Sequence, residues 1–158
     1  MPAFPLLWPM IAMAALIFLV WFVLVVHRFG HMKANPPAAD NFTSGSAAKR
    51  YFEPVERPAN NLANLFELPI LFFVIAILLI VTEMGNDVQV ALAWGYVAAR
   101  AVHSWLHIAG KPRPRFMTYV LSNALLIAMW VGFTVDTIGA ARAYHATMAT
   151  LEAESARP

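Results

Sequence analysis

The chain has 158 residues, enough for one domain, of which 60% are hydrophobic and 13% charged. Soluble domains run near 45–50% apolar and about 25% charged, so lipid is the expected solvent for much of this surface. A net charge of +2 with no long basic run excludes nucleic-acid recognition, and zero cysteines exclude disulfides and thiolate metal sites.

Four apolar runs follow in chain order. The first spans about 6–28. It has no basic leader and is too long for a signal-peptide core, so it reads as an uncleaved span. Residues 30–60 are rich in Pro, Ala, Asn and charge and form the one long loop. The second span covers about 62–83, with Pro69 expected to kink it. A tight turn at Glu83–Asp87 leads to the third span, about 88–109. The segment from Gly110 to Arg115 is a rigid basic turn whose two prolines stop the helix. The fourth span covers about 115–137, and residues 141–158 form an Ala-rich tail that either extends the helix or is disordered. Each run is near the ~20 residues that cross ~30 Å of hydrocarbon. The expected fold is all-α: one domain over residues 1–140, an integral membrane bundle of four transmembrane helices.

Basic residues set the orientation. Arg28, Lys33, Lys49, Arg50, Arg57, Lys111, Arg113 and Arg115 all fall on one side, against Arg142 and Arg157 on the other. The two basic loops are therefore expected inside a cell membrane, with both termini non-cytoplasmic.

A charge inside a bilayer costs about 2.5–3.5 kcal/mol on insertion scales, so the polar exceptions carry information. Asn64 and Glu67 share a face of the second span; Arg100, His103 and His107 share a face of the third; Asn123 lies in the fourth. Glu67 and Arg100 are natural partners, since either alone leaves a buried charge. Counting back from the inner end of the third span places His107 about 3 Å deep, His103 about 9 Å and Arg100 about 14 Å. Arg28 closes the first span, and Arg115 and Tyr119 open the fourth. Residues from all four spans thus fall in one inner-leaflet layer, which reads as a ligand site. His27 and His31 sit at a helix end facing the headgroups, and the tryptophans read as lipid-facing or interfacial anchors.

Three stretches carry a resemblance. Asn64-Leu65-Phe66-Glu67 with Pro69 resembles an Asn-x-x-Glu motif on a second helix; the run from Arg100 to His107 is similar to an Arg-x-x-His-x-x-x-Tyr pattern on a third; the run from Arg115 to Tyr119 resembles an Arg-x-x-x-Tyr opening of a fourth. Together they resemble the MAPEG family, the membrane-associated proteins in eicosanoid and glutathione metabolism, in its bacterial-type form. That resemblance implies a homotrimer with glutathione as co-substrate between neighbouring subunits, and a transferase or peroxidase acting on lipophilic small molecules. It implies Arg28, Asn64, Glu67, Arg100, His103, His107 and Tyr119 as binding positions, and Arg115 as the arginine that activates the thiol. The pattern departs from the family at His107, which replaces the usual Tyr, and before Asn64, where Asn60, Asn61 and Ala63 stand in place of arginines.

Other functions use the same residues. A non-catalytic lipid-binding or scaffold protein would share the fold without the chemistry. A metal or haem site on His103 and His107 has suitable i, i+4 spacing but no Cys, and the nearest carboxylate is on another helix, so no metal is expected. A channel would need a continuous polar path that one layer does not supply.

Overall fold

The computed structural model describes residues 4–155, so Arg157 lies outside the described residues. Six α-helices follow in order: α1 Phe4–Ala34, α2 Gly45–Phe52, α3 Arg57–Leu65, α4 Pro69–Val81, α5 Asp87–Ile108 and α6 Pro112–Ser155. No strand occurs among the described residues. Among the described residues, three helical segments are long and apolar enough to cross a membrane: Pro5–Ala34, Arg57–Val81 and Pro112–Ser155.

The expected long loop is largely helical. α1 continues to Ala34, 3-10 turns cover Ala39–Phe42 and Glu53–Val55, and α2 is started by Ser44, whose hydroxyl accepts from the Ala47 amide at 3.1 Å. His31 turns onto the edge of Tyr51, with ring centroids 4.9 Å apart, instead of facing outward alone. Aromatic contacts among Phe42, Tyr51 and Phe52 give this short segment a small core of its own.

The second span is broken, not merely kinked. α3 ends at Leu65 and α4 begins with Pro69 as its first residue. Proline has no N–H to give and a fixed φ, so it suits the first turn of a new helix. Residues Phe66, Glu67 and Leu68 form tight turns between, closed by bonds such as Phe66 N–H to Ala63 O at 2.9 Å and Leu71 N–H to Leu68 O at 2.9 Å.

α5 falls short of the apolar helices in hydropathy for a structural reason. Its polar residues lie on the face turned into the bundle. Gln89, Tyr96, Arg100, His103, Ser104 and His107 are all buried, repeating at helical spacing with Ala93 and Val97. α5 packs most extensively on α6 and also meets α1 and α3. The ring of Tyr96 stacks on Phe72 of α4, with centroids 4.7 Å apart and planes 18° from parallel. Around this pair lie Leu6, Met13 and Val20 of α1, Leu65 of α3, Ile75 and Leu79 of α4, and Leu126 and Met129 of α6.

α5 ends in a tight reversal. The Gly110 amide bonds His107 O at 3.1 Å and the Lys111 amide bonds Leu106 O at 3.0 Å, with Gly110 at φ +70°. This is the left-handed cap that glycine adopts without strain, and it aims the chain back into α6 within a few residues. α6 is continuous through Ser155, so helix is the conformation of most of the Ala-rich segment. At 44 residues it is about 66 Å long, roughly twice the hydrocarbon thickness.

α5 and α6 approach closely at Gly132. A Cβ there would stand 2.7 Å from Nε2 of Gln89, which is itself buried and donates to Met129 O at 3.2 Å. Gly132→Val is expected to push the Gln89 amide aside and break that bond, costing about 1 kcal/mol. A lowered melting midpoint in detergent, against an unchanged one for Gly139→Val, where nothing lies within 4 Å, checks this.

Candidate functional site

The break in the second span and the polar face of α5 are two sides of one arrangement. When α3 ends at Leu65, the carbonyl of Asn64 loses its helical partner. Nη2 of Arg100 donates to it at 2.9 Å. A cation at a helix C-terminus is also favoured by the helix dipole. Arg100 is fully buried, at 0% exposure, and is the largest side chain so enclosed. Its Nε and Nη1 have no partner among the described residues.

The expected Glu67–Arg100 ion pair is not formed. Glu67 lies in the turn between α3 and α4 and is exposed. Among the described residues the ion pair within 4.0 Å is Arg28–Glu56, at 3.7 Å. The physical reason is the break itself: α3 ends at Leu65, so Glu67 lies in the exposed turn and not on a helix face shared with Asn64, and the Asn64 carbonyl is the acceptor for Arg100.

The α3–α5–α6 junction holds a pocket of about 190 Å³ lined by Asn64, His103, His107, Arg115, Phe116 and Tyr119. The Asn64 amide nitrogen donates to Nε2 of His107 at 3.3 Å. Nδ1 of His103 donates to the backbone carbonyl of Arg115 at 3.1 Å, which fixes the first turn of α6 against α5 and leaves Nε2 without a partner. The His103 ring lies 5.8 Å from that of His107 and 5.9 Å from that of Tyr119. The Arg115 side chain is half-buried, and Lys111 and Arg113 stand exposed just before it. The local potential is therefore positive, and the pocket offers donors and no carboxylate. It suits an anionic ligand with hydrogen-bonding groups.

Five of the eight expected site residues thus share one pocket, and Arg100 stands behind it holding the Asn64 backbone. Arg28 is elsewhere: it pairs with Glu56 and lies over the Phe52 ring at 4.7 Å. Glu67 is exposed in the turn between α3 and α4. Sequence reasoning passed over Phe116, which lines the pocket. It also passed over Asn61 and Ser104, both buried with side-chain atoms unpartnered. Asn61 lies three residues before Asn64, so the helical spacing that singled out Asn64 points to it as well.

A second, apolar groove of about 530 Å³ lies along α4 and α6, lined by Leu68, Leu71, Asn123, Leu126, Ile127, Trp130, Val131, Thr134 and Val135. On α6 its lining begins at Asn123, one turn beyond Tyr119, so the polar pocket and the groove have that helix in common.

The model of the MAPEG family matches residues 6–135, which takes in both the pocket and the groove. The chain belongs to the MAPEG family. It is an integral membrane protein on that membership together with its apolar helices. The family includes glutathione-dependent transferases and peroxidases as well as non-catalytic members. No curated protein and no solved structure matches the chain.

Proposed function

We propose that this MAPEG protein is a membrane-bound glutathione-dependent transferase or peroxidase for lipophilic substrates, with Arg115 activating the thiol. The observation that carries the reading is the convergence of Asn64, His103, His107, Arg115 and Tyr119 on one donor-rich pocket beside an apolar groove. Glutathione has two carboxylates, an ammonium and a thiol. Arginine suits the carboxylates, and a guanidinium beside a thiol favours the thiolate, which is the nucleophile. The lipophilic substrate lies in the groove and presents its reacting atom at the polar end.

Four crossings and a homotrimer belong to the same proposal. α5 has 22 residues, about 33 Å of helix, and turns its polar face inward, which supports a fourth crossing despite its lower hydropathy. The pocket of one subunit, about 190 Å³, is smaller than the roughly 300–1,000 Å³ of ordinary small-ligand sites. A neighbouring subunit completes it, and Arg28 and Glu67 serve that shared site from outside the single subunit's pocket. Residues 1–140 form the membrane domain and the rest a tail, with both termini non-cytoplasmic and the basic residues Lys111, Arg113 and Arg115 inside.

The second reading is a non-catalytic lipid-binding member. The size of the groove relative to the polar pocket favours it. Conjugation of glutathione to an aryl halide by the purified protein tests the first reading. A rate no higher than the uncatalysed one, with lipid binding retained, would leave the second.

A further inference from the structure

Three cations gather at the reversal between α5 and α6. Lys111 and Arg113 stand exposed there, and Arg57 reaches it from the first residue of α3. The Arg57 guanidinium lies over Gly110: a Cβ added there would stand 2.5 Å from Nη1 and 2.8 Å from Cζ. Glycine thus meets two demands at this position, the left-handed φ of +70° and the room for a guanidinium. None of the three cations has an ion-pair partner within 4.0 Å among the described residues. The carboxylate next to Arg57 in the chain, Glu56, is taken by Arg28 at 3.7 Å. The C-terminal dipole of α5 is equivalent to about half a negative charge and does not balance three positive ones. Nζ of Lys111 lies 5.5 Å from the centroid of the Trp105 ring. Trp105 is 63% exposed and lies three residues before the end of α5, about 5 Å further along the helix. Arg57, Trp105 and Lys111 do not line the polar pocket, so their charge and exposed ring are not used there.

We propose that the α5–α6 reversal binds the phosphodiester headgroup of an anionic phospholipid, with Arg57 and Lys111 on the phosphate and the Trp105 ring beside the upper acyl chain. The inference takes from the proposed topology that the reversal lies at a membrane surface. Charge complementarity selects the partner. A zwitterionic headgroup brings an ammonium that finds no free carboxylate here, whereas a net negative one meets cations alone. A soluble anion would answer the cations and leave the exposed indole unmatched. A lipid answers both, because its charge sits directly above its hydrocarbon. Each Lys or Arg near an anionic bilayer surface is worth about fivefold in binding.

Quenching of tryptophan fluorescence by lipids brominated on the upper acyl chain reads this site. In phosphatidylcholine nanodiscs, brominated phosphatidylglycerol should quench Trp105 at about a tenfold lower mole fraction than brominated phosphatidylcholine. Trp105→Phe should remove the difference. Arg57→Gln and Lys111→Gln, both at exposed positions, should each cut the preference about fivefold, and Arg142→Gln, in the far half of α6, should leave it unchanged. Equal quenching by the two lipids, or a preference that survives Trp105→Phe or the Arg57→Gln, Lys111→Gln double variant, would overturn the proposal. Loss of the preference in millimolar inorganic phosphate would assign the cations to a soluble anion and overturn it too. Quenching of Trp105 by neither lipid would overturn the proposed topology along with it. Failure to conjugate glutathione, with the lipid preference intact, would remove the transferase reading alone.

Discussion

Arg115→Ala is expected to lower the rate of glutathione conjugation by about 10²–10³-fold, the usual cost of removing one preorganised charge-stabilising group. The effect should fall mainly on turnover, because the guanidinium acts on the thiolate and the other donors of the pocket remain. The pH profile should move as well. A guanidinium beside a thiol lowers its pKa, so the wild-type rate should level off below the ordinary thiol pKa of about 8.5, and the variant should level off near or above it. The contact that locates the first turn of α6 is made to the backbone carbonyl of Arg115, by Nδ1 of His103 at 3.1 Å. It survives the substitution, so lost activity should come without loss of fold. Steady-state kinetics across pH, with melting curves on the same samples, check both parts. Equal rates in the two proteins would remove Arg115 from the mechanism.

Arg100→Ala is the substitution expected to cost the most stability. It empties the largest fully buried side-chain volume and strips the Asn64 carbonyl of its donor at the broken end of α3. A cavity of that size and an unmet carbonyl together cost about 3 kcal/mol, after allowing for the relief of removing a buried charge. For a chain of this length that is about 10 °C in the melting midpoint. Arg100→Met refills the volume and leaves only the carbonyl unmet, so it should recover roughly half. A melting midpoint for Arg100→Ala equal to wild type would mean that the α3–α4 break is held by other contacts.

Much of this site was legible because lipid makes polar residues conspicuous. Arg100, His103 and His107 stand at helical spacing in an apolar run, and counting depth along the spans brought Asn64, Arg115 and Tyr119 to their level. The structure joins these same residues in and behind one pocket. The partner of Arg100 was not legible. Charge alone matches it to Glu67, but the choice was made by backbone geometry: α3 ends at Leu65, which leaves the Asn64 carbonyl without a helical partner, and a carbonyl in hydrocarbon must be satisfied. The kink expected at Pro69 understated the break for the same reason. Arg28 illustrates a different limit. Its partner Glu56 sits in a segment whose Pro, Asn and charge read as loop, yet aromatic contacts among His31, Phe42, Tyr51 and Phe52 fold it into short helices. Such tertiary contacts leave little trace in local composition. The long fourth helix was only half legible, since an Ala-rich segment of mixed charge is compatible with either conformation.

Calorimetric titration of glutathione into the protein in nanodiscs tests the central claim most directly. The account predicts saturable binding that raises the melting midpoint and is weakened at least tenfold in His103→Ala and Tyr119→Phe, both lining the pocket. Absence of heat and of thermal stabilisation at millimolar glutathione, in protein that still melts cooperatively, would contradict it.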